Sequence, residues 1–97
     1  MIVRMIHVEV SPDQLEEARQ MWKEHCAPLM IGMDGCLSEQ LLHCKESPGE
    51  MISMSTWETP EAIETYRASR EHEEIQRYTR ALLSGARATV KTYDIVP

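Results

Sequence analysis

The side chains best suited to hold or transform a small molecule lie mostly in the second half of the chain. They are aromatic or hydrogen-bonding residues, namely Trp57, Tyr66, His72, His7, Ser53, Arg77 and His25. The sequence has no Gly-rich phosphate loop, no G-x-S-x-G and no H-E-x-x-H motif. The site that these residues predict is an apolar pocket with a few convergent polar groups.

Residue spacing predicts how these candidates come together. Ser53 and Trp57 fall on the same face of one predicted strand, and His7 lies on another strand. If these faces turn towards the helices, the three side chains line a space that Tyr66 and His72 cover. Periodicity alone does not decide which face turns inward.

Each candidate also has a purely structural interpretation. Trp57 and Tyr66 fit core packing, and His7 fits a strand histidine satisfied by a neighbour. His72 lies near a predicted helix N-terminus, where the dipole favours a neutral imidazole, so it fits a capping residue as well as a base. Arg77 fits a surface residue paired with a glutamate on the preceding turn.

The cysteines and histidines give little support for a metal site or a disulfide scaffold. His25-Cys26 and His43-Cys44 are pairs of potential ligands, but adjacent residues point to different sides of a helix or strand, so neither pair chelates a metal by itself. With Cys36 the cysteine count is odd, and there is no C-x-x-C motif. We therefore expect reduced thiols, buried or partly buried, and no bound metal.

The elements that must position these residues begin with a strand over 2–10 and a helix. Ser11-Pro12 predicts the helix start, with a hydroxyl cap followed by proline at the first position. Pro28 is expected to strain the last turn because it lacks an N–H, and Gly32 and Asp34-Gly35 close the helix. The predicted apolar stripe of this helix is Leu15, Ala18, Trp22, Cys26 and Leu29.

The remaining pattern predicts a hairpin, a broken helix and a last strand. The hairpin strands are Cys36–Lys45 and Met51–Trp57, joined by a turn at Ser47–Glu50. Thr59-Pro60 repeats the cap-plus-proline start, and Ser69 is predicted to cap a continuation of that helix. The apolar face of this continuation is predicted to carry Ile75, Thr79 and Leu82 or Leu83, and the helix is predicted to end at Ser84-Gly85. The last strand is predicted at Ala88–Val96.

This order, β-α-β-β-α-β, is that of the ferredoxin-like α+β fold, with four antiparallel strands and helices on one face. The other face of the sheet would be bare. An exposed apolar sheet face on so small a domain predicts a partner, and the simplest partner is a second copy packed sheet against sheet.

Length and charge limit the classes of protein to consider. The 97 residues predict one domain over 1–97. A net charge of −6 argues against nucleic acid or an anionic membrane as a partner, because both need clustered Lys and Arg. No apolar run approaches the ~20 residues of a membrane span, and the N-terminus has no signal layout, so we expect a cytoplasmic protein.

The sequence resembles the antibiotic biosynthesis monooxygenase (ABM) family of the dimeric α+β barrel superfamily over nearly its whole length. The resemblance is carried by the start Met-Ile-Val-Arg-Met-Ile, by Pro12 before an acidic helix, and by Trp22-Lys-Glu-His25 within it. It is carried further by Gly35-Cys-Leu-Ser and above all by Ser55-Thr-Trp57-Glu58 with its following residues, Glu61-Ala62, Tyr66, Ser69 and His72.

The resemblance implies a homodimer that oxidises a phenol or quinol with O₂ and uses no metal or flavin cofactor. The ligand would be a hydrophobic aromatic small molecule. The implied catalytic residues are Trp57, His72, Ser53 and Arg77, where Ser53 stands in place of an asparagine in oxygenase members. The residues implied to bind substrate are His7, Tyr66, Trp22 and His25.

Two other functions are compatible with the same resemblance. A branch of the family binds and degrades haem through an Asn, a Trp and an axial His, but those positions here hold His7, Tyr66 and Gln76. This disfavours haem degradation. A non-catalytic binding or stress-response protein on the same fold is the main alternative.

Overall fold

The computed structural model describes residues 1–82 and 87–97, and its elements follow the predicted order β-α-β-β-α-β. The strands are β1 (Ile2–Glu9), β2 (Cys36–His43), β3 (Glu50–Trp57) and β4 (Arg87–Asp94). The helices are α1 (Leu15–Met21), α2 (Ala27–Ile31), α3 (Pro60–Arg67) and α4 (Arg70–Leu82). Strands β2 and β4 are shorter at their C-terminal ends than the predicted limits, Lys45 and Val96.

The four strands form one antiparallel sheet in the order β2-β3-β1-β4. This confirms the ferredoxin-like α+β fold. Arg4 of β1 pairs with Ser55 of β3 and with Thr92 of β4, and Ser55 pairs in turn with Glu39 of β2. We call these four residues the polar row, because they cross the sheet on one face.

The first helical segment starts with a 3₁₀ turn at Pro12–Gln14, directly before α1. Pro12 stands at the predicted helix start. The predicted hydroxyl cap is wrong, however, because Ser11 makes no side-chain bond to the helix backbone. Its hydroxyl instead donates to Oε1 of Gln14 at 3.0 Å, so the side chain is engaged away from the free N–H groups.

A π-helical turn, Trp22–Cys26, separates α1 from α2. The backbone N–H of Ala27 donates to the carbonyl of Trp22, five residues back, where a regular α-helix would bond four residues back. Pro28 follows at once, within the first turn of α2, where its missing N–H costs least. The strain expected at the last turn is thus avoided.

The wide turn also changes which side chains of this segment are buried. Ala18, Cys26 and Met30 are buried, with Trp22 on the same side of the segment. Met30, rather than the predicted Leu29, completes the stripe, and Leu29 only packs beside it. The π turn contains one residue more than a regular α-helical turn, so the next position that faces the core is shifted by one residue, from Leu29 to Met30.

The hairpin of β2 and β3 has the predicted antiparallel pairing and turn. The N–H of Glu50 donates to the carbonyl of Ser47 at 3.0 Å. Just before β2, Gly35 has φ 85°, a backbone conformation that favours glycine. A Cβ at Gly35 would lie 2.5 Å from the Cβ of Ala62, so the glycine lets β2 begin directly beneath α3.

Both predicted caps of the second helical segment are confirmed. Oγ1 of Thr59 accepts the N–H of Ala62 at 3.1 Å. Oγ of Ser69 accepts the N–H of His72 at 3.1 Å and donates to the carbonyl of Tyr66 at 2.5 Å, so one hydroxyl ends α3 and caps α4. The predicted apolar side chain of Leu82 or Leu83 and the predicted helix end at Ser84-Gly85 lie outside what the structure describes.

The core lies between the sheet and the helices. The main cluster consists of Ile2, Cys26, Met30, Trp57, Ile63, Tyr66 and Ile75. The side chains that alternate with the buried strand residues are partly buried or exposed, and this second side of the sheet is called the open face. Its apolar members are Val3, Met5, Leu42, Ile52, Met54 and Tyr93.

The cysteines are free, as expected: Cys26 is buried, and Cys36 and Cys44 are partly buried. Across residues 1–82 and 87–97, no helix has both the length and the apolar character that a bilayer crossing requires.

Candidate functional site

An apolar cavity of about 90 Å³ lies between the sheet and the helices. Its apolar wall includes side chains from β1, β3, the first helical segment and α4, among them Ile6, Val8, Met21, Cys26, Met51 and Ile75. The wall also includes four residues whose side chains carry a polar atom, namely Trp22, Ser53, Tyr66 and Thr79. The hollow expected beneath the helices is therefore present.

A cleft of about 290 Å³ adjoins this cavity, between α4 and the strands β1 and β4. The two share wall residues, including Tyr66 and Ile75. The cleft adds three side chains that carry or can carry positive charge, Arg4, His72 and Arg80. We call the cavity and the cleft together the binding cleft.

Three rings contact one another in series at the junction of β3, α3 and α4. Trp57 lies 5.1 Å from Tyr66 between ring centroids, and Tyr66 lies 4.9 Å from His72 in an edge-to-face contact. Trp57 is 0% exposed, and its Nε1–H donates to Oγ of Ser55 at 2.8 Å. Trp57 thus supports Tyr66 from below, whereas Tyr66 and His72 face the binding cleft.

His72 is held at the binding cleft by the start of α4. Its backbone N–H is bound by the Ser69 hydroxyl, which also ties it to the end of α3. Burial lowers the pKa of His72, and the positive charge of Arg4 lowers it further. The neutral imidazole is favoured, and a neutral imidazole can accept a proton.

Ser53 joins a polar cluster on the other wall of the cavity. Its hydroxyl donates to Oε1 of Glu39 at 2.7 Å, and the indole N–H of Trp22 donates to the same oxygen at 3.1 Å. Burial raises the pKa of Glu39 to about 7, against the opposing effect of these two hydrogen bonds. The Ser53 hydroxyl lies at the cavity, but its proton is already donated to Glu39, so its oxygen remains as an acceptor.

Arg4 is the charged residue most deeply placed beneath the helices. It is 5% exposed, and its guanidinium lies 5.7 Å from the centroid of the Tyr66 ring. Burial is also the main effect that lowers its pKa. Tyr66 itself has a pKa raised to about 12 by burial, so its phenol remains protonated at neutral pH.

Arg4 and Glu39 are the site residues that we did not single out from the sequence. Arg4 alternates in step with Ile2 and Ile6, so the sequence places a charged side chain on the inner face of β1, and such a residue is a candidate for the site. For Glu39 the signal is weaker, because the β-bulge after Cys36 shifts the side-chain alternation of β2.

Four candidates lie outside the wall of the binding cleft: Trp57, His7, Arg77 and His25. The expectation that Trp57 lines the pocket is wrong, because its ring is 0% exposed and enclosed in the core. The expected shared face of His7 and Ser53 is wrong: His7 pairs with Ile52, which neighbours Ser53 on β3 and points the opposite way. His7 is therefore on the open face. Arg77 is exposed on α4 and lies outside the wall of the binding cleft.

His25 and Trp22, both expected to bind substrate, lie on different sides of the first helical segment. Trp22 reaches the cavity, but the His25 ring stacks on Tyr78 at 4.3 Å on the outer side, with 43% of its side chain exposed. Within the described ranges, no three His, Cys, Asp or Glu side chains are grouped so that they could hold a metal ion.

Comparison with known proteins places this geometry in a family. The model of the family described as antibiotic biosynthesis monooxygenase, ABM, matches residues 1–78. No curated protein sequence matches the chain.

Solved structures share the fold at low sequence identity. A proposed antibiotic biosynthesis monooxygenase from Deinococcus radiodurans has a TM-score of 0.85 and 18% identity, with 100% of this chain and 94% of that chain covered. Another, from Nitrosomonas europaea, has a TM-score of 0.83 and 11% identity, with both chains fully covered. An antibiotic biosynthesis monooxygenase structure has a TM-score of 0.80 and 18% identity, again over 100% of both chains.

Proposed function

The chain belongs to the antibiotic biosynthesis monooxygenase family, and from that premise we propose that it is a homodimeric monooxygenase. It oxidises a phenol- or quinol-type aromatic molecule with O₂ and without a metal or flavin.

The observation that carries the proposal is the apolar cavity that adjoins a cleft bearing Tyr66 and His72. Its volume of about 90 Å³ is smaller than the roughly 150 Å³ of an apolar cavity known to take up benzene. An aromatic substrate therefore occupies the cavity and the adjoining cleft together. The apolar walls remove water from the ring, and the polar groups contact its oxygen.

The proposed chemistry starts with loss of the phenol proton. The phenolate gives one electron to O₂, and the resulting phenoxyl radical and superoxide combine at a ring carbon. After protonation, the hydroperoxide loses water and leaves a quinone, so one oxygen atom enters the product and the other leaves as water. An apolar site favours the step that spreads the negative charge, provided that the oxyanion has a donor nearby.

His72 is the proposed base. It lies at the cleft, it contacts Tyr66 edge-on, and its lowered pKa favours the form that accepts a proton. Tyr66, with a pKa near 12, keeps its proton and serves as a hydrogen-bond donor. Ser53 offers a second polar contact on the opposite wall of the cavity.

The homodimer is supported by the open face. Leu42 and Tyr93 are 40% and 43% exposed on this face, and Met54 lies at its centre between Met5 and Gln40. An apolar sheet face of this kind is typical of a contact with a second copy.

Oxygen uptake tests the function. Purified protein treated with a metal chelator is given anthrone-like and quinol substrates, and O₂ consumption and quinone formation are followed. We expect one quinone per O₂ consumed, with the rate reduced about 10²-fold or more in His72→Gln. His43→Gln is the control, because His43 lies at the end of β2, outside the wall of the binding cleft, and its ring contacts the hairpin carbonyl of Pro48 at 2.9 Å.

The same assay separates the alternatives. Binding of these aromatic molecules without oxygen uptake would identify a non-catalytic small-molecule-binding protein. A Soret band on titration with haem, together with no uptake, would identify a haem-binding relative.

A further inference from the structure

Among the described residues, Arg4 is a buried cation that lacks an ion-pair partner. It is 5% exposed on the inner face of β1. Within residues 1–82 and 87–97, its Nη1 has no hydrogen-bond partner and no carboxylate lies at ion-pair distance. Fully buried arginines are almost always paired, because an unpaired charge loses its hydration without compensation.

Arg4 lines two open spaces, one of them a cleft of about 370 Å³ that it shares with Glu64 and Arg67. Arg4 lines the cleft of about 290 Å³ together with Tyr66 and His72, and its charge lies over one side of the Tyr66 ring. The adjoining cavity of about 90 Å³ is almost wholly apolar. A ligand in the binding cleft can therefore place an aromatic ring in the cavity and a polar atom on Arg4.

The charges around Arg4 do not neutralise it. The charged and titratable groups that act on it from neighbouring elements, or that share its cleft, are Tyr66, Arg67, Glu64, Glu39, His72 and Arg80. Glu64 is paired with Arg67 at 3.5 Å on the surface of α3. Glu39 lies on β2, two strands away from Arg4 along the polar row, so at ordinary strand spacing the backbones of the two residues are about 10 Å apart. The cleft thus remains positively charged in a protein whose net charge is −6.

We propose that Arg4 binds the negatively charged oxygen of an aromatic ligand through its guanidinium, whose Nη1 has no hydrogen-bond partner among the described residues. The ligand class is an aromatic oxyanion, either a phenolate or an aryl carboxylate. A guanidinium bonds such oxygens with short, charge-assisted hydrogen bonds, and the low polarity of the site strengthens them. For a phenol substrate, Arg4 would favour the ionised form that the oxidation requires.

This inference rests on the proposed function only in taking the ligand to be aromatic. Binding of the probes below needs no turnover. Probe binding without oxygen uptake would therefore contradict the monooxygenase proposal and leave the role of Arg4 standing.

The test uses three probes of similar size: 4-nitrophenol, 4-nitrobenzoate and nitrobenzene. Affinities are measured by absorbance titration on both sides of the solution pKa of 4-nitrophenol. We expect wild type to bind the phenolate form at least about tenfold more tightly than the phenol. In Arg4→Met this preference disappears, while the affinity for nitrobenzene is unchanged.

The carboxylate probe separates the two sources of the oxyanion. 4-Nitrobenzoate stays ionised over the whole pH range, so any change in its binding with pH reports titrating groups of the protein, among them His72 and Glu39, rather than the ligand. Dependence of both anionic probes on Arg4 supports the general oxyanion site, and dependence of only one identifies which oxyanion it takes. Equal affinities of wild type and Arg4→Met for all three probes would overturn the proposal.

Thermal unfolding gives a second readout that does not need a ligand. A methionine of similar length removes an uncompensated charge, so we expect the Tm of Arg4→Met to equal or exceed that of wild type. The anionic probes should raise the Tm of wild type but not of Arg4→Met, and Arg19→Met, on the exposed side of α1, should behave as wild type. A clearly lower Tm for Arg4→Met would show that Arg4 has a structural partner and would overturn the proposal.

Discussion

At the scale of single residues, the polar row determines the character of the interior. Two of its members are charged, and each has an atom without a hydrogen-bond partner among the described residues, Nη1 of Arg4 and Oε2 of Glu39. They lie on opposite sides of Ser55 and too far apart to pair. The sheet therefore carries two separate ionisable groups beneath its helices, one basic and one acidic.

The carboxyl of Glu39 should make stability depend on pH near neutrality. Its pKa in the folded protein, about 7, is above the ordinary 4.5, so folding favours the protonated form. The associated stability is complete below pH 4.5 and is lost as the pH rises through about 7. Relative to Glu39→Gln, wild type should lose on the order of 2–3 kcal/mol of unfolding free energy over this range.

Urea unfolding of both proteins at a series of pH values measures this difference. The exposed Glu17→Gln on α1 serves as the control and should follow wild type throughout. Parallel stability curves for wild type and Glu39→Gln would contradict the buried, titrating carboxyl.

How far the sequence predicts the site depends on the regularity of each strand. On β1 and β3 the alternation is regular, so Ser53, Trp57 and the inner position of Arg4 follow from it once the inner face is known. The alternation does not show which face of β1 turns towards the helices, and for this reason His7 was expected on the wrong face. Tyr66 and His72 meet as expected because their spacing is set locally by the end of α3 and the start of α4.

At the scale of elements, Ser69 controls the junction on which His72 depends. Its hydroxyl bonds both the last turn of α3 and the first turn of α4. Thr59 has the simpler role of capping α3 alone. The two caps thus have similar energies but different consequences.

Ser69→Ala and Thr59→Ala form a matched pair. Each should lower the unfolding free energy by about 1 kcal/mol, because each loses one N-cap hydrogen bond. Only Ser69→Ala should also change the environment of His72, measured as a shift of its imidazole pKa by NMR. If both variants, or neither, alter the titration of His72, Ser69 does not position it.

Caps and prolines made the element order predictable, since their effects are local. The π turn at Trp22–Cys26 was not predicted, although the buried positions Ala18, Cys26 and Met30 recur at multiples of four rather than at regular α-helical spacing. A stripe of this kind can be read as an ordinary helix with one misplaced residue. Packing against the sheet decides between the two interpretations.

At the scale of the whole molecule, the open face is the surface that most needs a partner. Met54 pairs with Met5 on one side and Gln40 on the other, so it lies at the centre of the sheet. The binding cleft is on the opposite side. Association through the open face therefore leaves the cleft of each copy free.

Light scattering after size exclusion tests this arrangement. Wild type should have about twice the 11.2 kDa chain mass. Met54→Lys places a charge at the centre of the contact and should shift the protein towards one chain mass, whereas Thr65→Lys on the exposed side of α3 should not. A wild type that elutes as a monomer, or an unchanged mass for Met54→Lys, would show that the open face is not the contact.

The π turn has a consequence for how this fold can diverge. Trp22 and Cys26, its two ends, both line the cavity. Deleting one residue from the turn would restore an unbroken helix and rotate everything beyond it by about 100°. Relatives that differ by such a single-residue gap would thus turn Cys26 and Met30 away from the cavity and enclose a space of a different shape.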